Sequence, residues 1–341
     1  RVLEQIRTSE PPAAVDPTYI DWVGEAEEGH PVIKGIESLV LRATRAQATF
    51  RELAPGWSRD LPANHTMQVR NRTVARYHSG EQVAASSSPR PYLHPVSTLA
   101  GIVVTDHMPA DHVWHLGAGV AIQDVDEVNI WGGRTYRREA EGYVWRKDHG
   151  RIRSTGSTQT PCSLTETLEW SGPDGSALLN EQRRWSWSGL NDTTWKLGLE
   201  FTLLPAGQAA VVLGSPGSNG RPKGGYGGFF WRLPACSAVH VRTAEASGEE
   251  AVHGTVAPWL AWTGDFEGGT ATLVFLAGDA ADPWFVRQTG YPGVGLSLAW
   301  EEPVQTSHDN PVRRAVSVLV ADGTLDNTAV EDLIRNAQEK Q

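Results

Sequence analysis

The sequence predicts an all-β protein: one large two-sheet antiparallel β-sandwich, of jelly-roll or mutarotase-like build, with a short N-terminal arm and a C-terminal helix. Three observations predict it. Apolar and polar residues alternate in segment after segment, the period of a strand with one buried face. Turn residues recur between these segments at intervals of about 8–15 residues, with no helical stretches to serve as crossovers, which favours antiparallel sheets over βαβ units. The chain also holds 14 tryptophans against 7 phenylalanines. Indole offers a flat apolar face and one donor, suited to a sandwich core or to a sugar-stacking platform, and core packing accounts for most of the 14.

The elements follow in order. Residues 1–36 are polar and marked by Pro11, Pro12, Pro17 and Pro31; they read as an arm, with a short helix from Val2 to Arg7. The sandwich domain spans 37–325. Strands are expected at 38–42, 66–70, 74–77 and 117–122, the last small and apolar on both faces. The clearest hairpin is 163–188. Leu164, Glu166, Leu168 and Trp170 share one face of its first strand, and Leu179, Glu181, Arg183, Trp185 and Trp187 one face of its second. Between them, Pro173 fixes φ, Asp174 can bond its own backbone and Gly175 can take φ > 0. Trp195, Leu197, Leu199 and Phe201 alternate next. Further strands are expected at 208–213, 228–233, 238–242, 259–263, 270–276, 295–300 and 312–320. Residues 326–341 read as a helix, because Val330, Leu333, Ile334 and Ala337 form a stripe at i, i+3, i+4, i+7. Helix should stay below about 15%.

Composition narrows the function. With 341 residues and 40% hydrophobic content the chain can bury a core without staples. Its net charge of −10 argues against a nucleic-acid surface, which needs a basic face. No run reaches the ~18 apolar residues of a membrane helix, and the first residues lack a signal-peptide core, so a cytoplasmic location is expected. Cys162 and Cys236 have no metal-ligand spacing and read as two buried reduced thiols. Asn64, Asn71 and Asn191 each open an Asn-X-Thr triplet, a glycosylation pattern that is also frequent by chance.

Chemistry concentrates between Arg90 and Gly133. Four of the 11 histidines, His94, His107, His112 and His115, fall within 94–115, where even spacing would put about one. Asp106 and Asp111 lie among them. Imidazole can move a proton or bind a metal near neutral pH, and a carboxylate can do either or orient the imidazole. On a turn, His112 and His115 converge at i, i+3. With His94 they could hold a divalent cation, the one cofactor the residues suggest; hydroxyl binding, metal-free acid–base work and plain backbone bonding remain alternatives. The catalytic candidates are therefore His94, Asp106, Asp111, His112, His115 and, from the Trp-rich hairpin, Glu181. Glu181 and Arg183 could equally be an ion pair. Trp114 and Trp131 are candidates for stacking on a sugar, and Arg90, Tyr92, Arg183, Arg232 and Arg287 for binding it. The stretch 214–228 carries seven glycines but matches no phosphate-binding pattern. It reads as a mobile binding loop with Asn219, Arg221 and Tyr226 at its tips, or as a plain hairpin connection. No G-x-S-x-G elbow is present.

Seven motifs occur in order: Arg90-Pro-Tyr-Leu-His-Pro95, Asp111-His-Val-Trp-His-Leu-Gly117, Asn129-Ile-Trp-Gly-Gly133, Gly224-Gly-Tyr-Gly-Gly228, Pro283-Trp-Phe-Val-Arg287, Tyr291-Pro-Gly-Val-Gly295 and Val320-Ala-Asp-Gly323. Together they resemble the domain family of unassigned function labelled PmoA family, DUF6807, over roughly residues 37–325. The label's methane oxygenase would require spanning helices that this chain lacks. The resemblance implies instead a β-sandwich protein of bacterial sugar catabolism. The expected function is a carbohydrate-active enzyme, a glycoside hydrolase or β-eliminating lyase, that cleaves or modifies a glycoside or oxidised sugar by His/Asp acid–base chemistry. A non-catalytic carbohydrate-binding protein and a sugar epimerase or mutarotase are the alternatives. The expected partner is a small carbohydrate, with no nucleic acid and no membrane.

Overall fold

A computed structural model describes residues 64–278 and 281–339; the expected arm, the Val2–Arg7 helix and the strand at 38–42 lie outside them. Of the described residues, 50% lie in strands and 8% in helices. The described residues fall into a body, 64–109 and 114–339, and a short segment, 110–113.

Two large sheets make up the body. The ten-stranded sheet runs β1 (His65–Val69), β2 (Arg72–His78), β3 (Tyr92–Val96), β4 (Ala118–Val125), β13 (Gly228–Arg232), β18 (Gly293–Ser297) and β17 (Trp284–Arg287). Off this path, β5 (Val128–Ile130) and β12 (Val211–Gly214) pair with β4, and β19 (Val304–Thr306) pairs with β12. The eight-stranded sheet runs β14 (Ser237–Arg242), β15 (Trp259–Phe266), β16 (Gly269–Ala277), β20 (Val312–Asp322), β11 (Thr194–Pro205), β10 (Ala177–Gly189), β9 (Ser163–Ser171) and β8 (Arg151–Gln159). A small hairpin pairs β6 (Thr135–Arg137) with β7 (Gly142–Val144). All of these pairings are antiparallel.

The hairpin β9–β10 forms as its residues dictate. Asp174 Oδ1 accepts the Ser176 N–H at 2.9 Å and the Ser176 hydroxyl at 2.6 Å, and Gly175 takes φ +85°, where a Cβ would be strained. The alternating residues Leu179, Glu181, Arg183, Trp185 and Trp187 are all buried. β8, by contrast, carries no alternation. Its sequence RIRSTGSTQ is mostly polar and exposed, so backbone pairing with β9 defines it and no apolar pattern announced it.

The core lies between the sheets. Met67, Tyr77, Leu93, Val120, Phe229, Trp231, Trp284 and Val294 of the ten-stranded sheet join Trp170, Trp185, Trp195, Leu197, Phe201, Leu273 and Val318 of the other. Trp170, Trp185, Trp195, Trp231, Trp262 and Trp284 are fully buried, the structural role that the Trp-rich composition implied. The C-terminal helix α2 (Asn327–Glu339) follows a short α1 (Glu249–Val252). Asp326 caps α2 by accepting the Ala329 N–H at 2.8 Å. Val330, Leu333, Ile334 and Ala337 of α2 pack with Trp259, Ala261, Val274 and Leu319, covering the outer face of the eight-stranded sheet. Against the expectation of two buried thiols, Cys162 is exposed in the turn before β9 and Cys236 is half-buried. No helix among the described residues is long and apolar enough to cross a membrane.

Candidate functional site

Strand alternation leaves the other outer face, that of the ten-stranded sheet, to different chemistry. Phe229 and Trp231 point into the core, so Phe230 and Arg232 point out; Trp284 and Val286 point in, so Phe285 and Arg287 point out. Tyr77 and Leu93 face the core, which turns His78, Tyr92 and His94 outward. Aromatic rings pave the centre of this face. Trp131, Tyr226, Phe230 and Phe285 cluster with Ala121, and Trp114, Tyr291 and Trp300 pack against them.

Over that floor stand basic groups. The His115 ring lies 5.0 Å from Phe230, 5.0 Å from Tyr291 and 5.8 Å from Trp131. The Arg232 guanidinium sits 5.1 Å from the centre of the Tyr291 ring, a cation–π contact. Burial pushes the Tyr291 phenol up to about 12. Beside them runs a column of near-parallel rings: His78 on Tyr92 at 4.9 Å, Tyr92 on His107 at 4.9 Å and His107 on His94 at 5.2 Å. Backbone bonds hold the column to the floor. His107 bridges Leu116, and the Met108 N–H donates to His115 O at 2.8 Å. His94 Nδ1 meets Thr105 Oγ1 at 3.0 Å. His78 donates through Nε2 to the carbonyl of His94 at 2.6 Å, and burial lowers its imidazole pKa.

The loops that carry the floor are held by side-chain hydrogen bonds and close packing. Asn129 Oδ1 accepts the N–H groups of Trp131 at 2.9 Å and Gly132 at 2.8 Å. The Trp114 indole lies against Gly133, whose φ is +67° and where a Cβ would come within 2.6 Å of that ring. The 214–228 stretch is likewise pinned. Asn219 donates to Asp124 at 2.7 Å, Arg221 donates to the Tyr143 hydroxyl at 2.7 Å, and that hydroxyl meets the Tyr226 hydroxyl at 3.0 Å. Gln123 donates to Tyr226 at 2.8 Å, and Arg138 bonds Ser218 O and Asn219 O. Of the two readings, a mobile binding loop or a plain hairpin connection, these bonds favour neither by themselves; they engage Asn219, Arg221 and Tyr226 in holding the stretch. The hydrogen bonds satisfy buried polar groups, and Tyr226 is itself part of the floor.

The sequence-derived candidates thus separate. His94, His115, Tyr92, Trp114, Trp131, Tyr226 and Arg232 gather on this face, Trp131 as part of the floor rather than of the intersheet core. Arg287 lies at its edge, 4.7 Å over the Phe285 ring and 3.8 Å from Glu249. Asp106 accepts the His107 N–H at 2.8 Å. In the short segment, His112 Nδ1 lies 3.0 Å from Asp111 Oδ2, the pairing by which a carboxylate orients an imidazole. Three candidates correct the sequence reading. Arg90 is buried and spends its donors on the carbonyls of Ser87, Ser88 and Trp114 at 2.7–2.8 Å, so it positions Trp114 and does not face a ligand. Glu181 and Arg183 are fully buried between the sheets. Arg183 bonds both Glu181 oxygens, Trp170 donates to Glu181 at 2.7 Å, and Glu166, opposite Arg183, accepts from Tyr77. Their alternation showed a buried face but not that both strands turn it toward the core.

Among the described residues no three His, Cys, Asp or Glu side chains are placed to hold a metal ion. Sequence reasoning missed His78 and Tyr143, each separated in the chain from the histidine stretch, Gln123, an uncharged side chain within 90–133, and Trp145, the one exposed tryptophan among the described residues at 41% exposure.

No curated protein matches this chain. Three solved structures bear a loose likeness. A putative kojibiose phosphorylase from human microbiome is 7% identical, with 78% of this chain and 29% of that one covered and a TM-score of 0.30. A heparan sulfate lyase HepC mutant from Pedobacter heparinus is 10% identical, covering 92% and 43%, with a TM-score of 0.32. The protein HI1317 is 9% identical, covering 67% and 92%, with a TM-score of 0.25. The chain spans less than a third of the phosphorylase's length, and scores this low carry neither fold nor activity across. The family match is of another order: residues 64–335 fit the model of DUF6807, a family of unknown function, and the chain belongs to that family.

Proposed function

We propose that the outer face of the ten-stranded sheet is a carbohydrate site, and that the protein cleaves or modifies a glycoside or an oxidised sugar there by proton transfer through histidine. One observation carries this reading: His115 and Arg232 stand over an aromatic floor on a sheet face outside the core, with the His94–His107 stack beside them. Aromatic faces suit the C–H side of a pyranose. A guanidinium suits a carboxylate or paired hydroxyls. Imidazole is the side chain able to take and return a proton near neutral pH.

The test is a panel of glycosides and uronate-containing saccharides, followed by NMR for bond cleavage, elimination or anomeric exchange. Cleavage or elimination supports a hydrolase or lyase. His115→Gln should lower turnover by about 10²–10⁴-fold, the usual scale for a lost acid–base group, with binding retained. Binding without any turnover would make the protein a carbohydrate-binding module, and anomeric exchange alone a mutarotase. No binding across the panel would end the reading.

A further inference from the structure

Trp145 is the feature that the site described so far does not use. It follows β7, and two fifths of its surface meets solvent, unlike that of every other tryptophan among the described residues. Its surroundings are ordered. The Trp114 indole stands edge-on to it, centroids 6.5 Å apart and planes at 89°. The Arg134 guanidinium lies 6.0 Å from its ring centre. Trp114 in turn stands edge-on to His115 at 6.2 Å and rests on Gly133. Trp145, Trp114 and His115 therefore form a continuous series of ring contacts from the surface to the aromatic floor.

From this geometry we infer that Trp145 and Trp114 form an outer subsite that takes a second sugar unit, so that the substrate is a di- or oligosaccharide, not a free monosaccharide. The inference rests on the carbohydrate reading of the face. Two indoles at right angles make a corner that can stack one face of a pyranose and border its rim. His115 would work at the inner sugar while Trp145 holds the next one along. The two rings are the accessible end of this series, Trp114 half-buried and Trp145 exposed, where His115 and the floor are buried. A substrate that needs both places has a linkage to act on, which favours cleavage or elimination over anomeric exchange.

The experiment compares the wild type, Trp145→Ala and Trp145→Phe by calorimetry against monosaccharides and their α- and β-linked di- to tetrasaccharides in the gluco, galacto, manno and uronate series. Because Trp145 is exposed, Trp145→Ala should fold normally, and far-UV circular dichroism checks that it does. Oligosaccharide binding should weaken about tenfold in Trp145→Ala, the scale of one aromatic stacking contact. Monosaccharide binding should stay unchanged, and Trp145→Phe should recover part of the loss. Iodide quenching gives a second readout: the quenchable fluorescence that the wild type has and Trp145→Ala lacks should be shielded by oligosaccharide and not by monosaccharide. Equal effects of Trp145→Ala on both ligand classes, or none on either, overturn the subsite and leave the inner site standing. Shielding that depends on protein concentration and not on saccharide reassigns the ring to a contact between copies and also overturns it. Absence of any saccharide binding in the wild type removes the subsite together with the reading it rests on.

Discussion

Arg183 grips Glu181, two residues earlier on the same strand, through two bonds of 2.6 and 2.8 Å, and neither side chain is exposed to solvent. A buried pair of this kind is costly to desolvate, and removing one partner strands the other's charge in the core. Glu166 shares the same pocket of polarity. Burial raises its carboxyl pKa, against the attraction of Arg183.

Breaking that pair should therefore act on stability. Arg183→Ala and Glu181→Ala should each cost about 3–5 kcal/mol in urea unfolding, with kinetics per folded molecule unchanged. A small stability loss together with a large loss of turnover in Glu181→Gln would place this carboxylate back among the catalytic candidates.

His253 should set part of the acid response. Burial first, and then the positive charge of Arg287, depress its imidazole to about 4, while Glu249 and a bond to the Lys223 carbonyl partly oppose them. Between about 4 and the ordinary value of 6.5 the unfolded chain binds the proton and the folded one does not. The contribution is thus fully present above 6.5 and is lost as pH falls through that window. Melting temperatures measured from pH 7.5 to 4.5 should fall less steeply in His253→Gln than in the wild type. Parallel curves for the two proteins would assign the acid sensitivity to other groups.

Gly133 should tolerate no side chain. A Cβ there would meet the Trp114 ring at 2.6 Å with the backbone at φ +67°, and the combined strain and overpacking should cost about 1–3 kcal/mol for Gly133→Ala. Near-UV circular dichroism should report the displaced indole. On the carbohydrate reading, saccharide binding should weaken alongside. An unchanged spectrum and an unchanged melting temperature would mean that Trp114 yields without consequence.

The pinned glycine-rich stretch makes a different kind of prediction. Arg221→Ala removes both the bond to the Tyr143 hydroxyl at 2.7 Å and the guanidinium lying 5.0 Å over its ring. Limited proteolysis should then cut within 214–228 faster than in the wild type, with global unfolding changed by under about 1 kcal/mol, because local opening draws on local contacts. Equal cleavage rates would show that Arg138, Asn219 and Tyr226 hold the stretch without Arg221.

The sequence by itself determined the strands whose apolar residues alternate, the turn at Pro173–Gly175, the stripe of the C-terminal helix and the density of histidine in 94–115. Each rests on a local rule: side chains alternate along a strand, recur every 3.6 residues on a helix, and Asp and Gly solve a turn within a few residues. Sheet order and facing were decided only by the tertiary structure. β4 pairs with β13 across about a hundred residues, and that pairing carries Phe230 and Arg232 to His115. Alternation says that Glu181 and Arg183 share a face with Trp185, and nothing in it says that this face meets the ten-stranded sheet and not a ligand. Polar strands such as β8 are likewise set by the backbone partner beside them. The stack of His78, Tyr92, His107 and His94, and the corner of Trp114 and Trp145, are contacts between segments that no local pattern relates, because packing, and not spacing along the chain, brings them together.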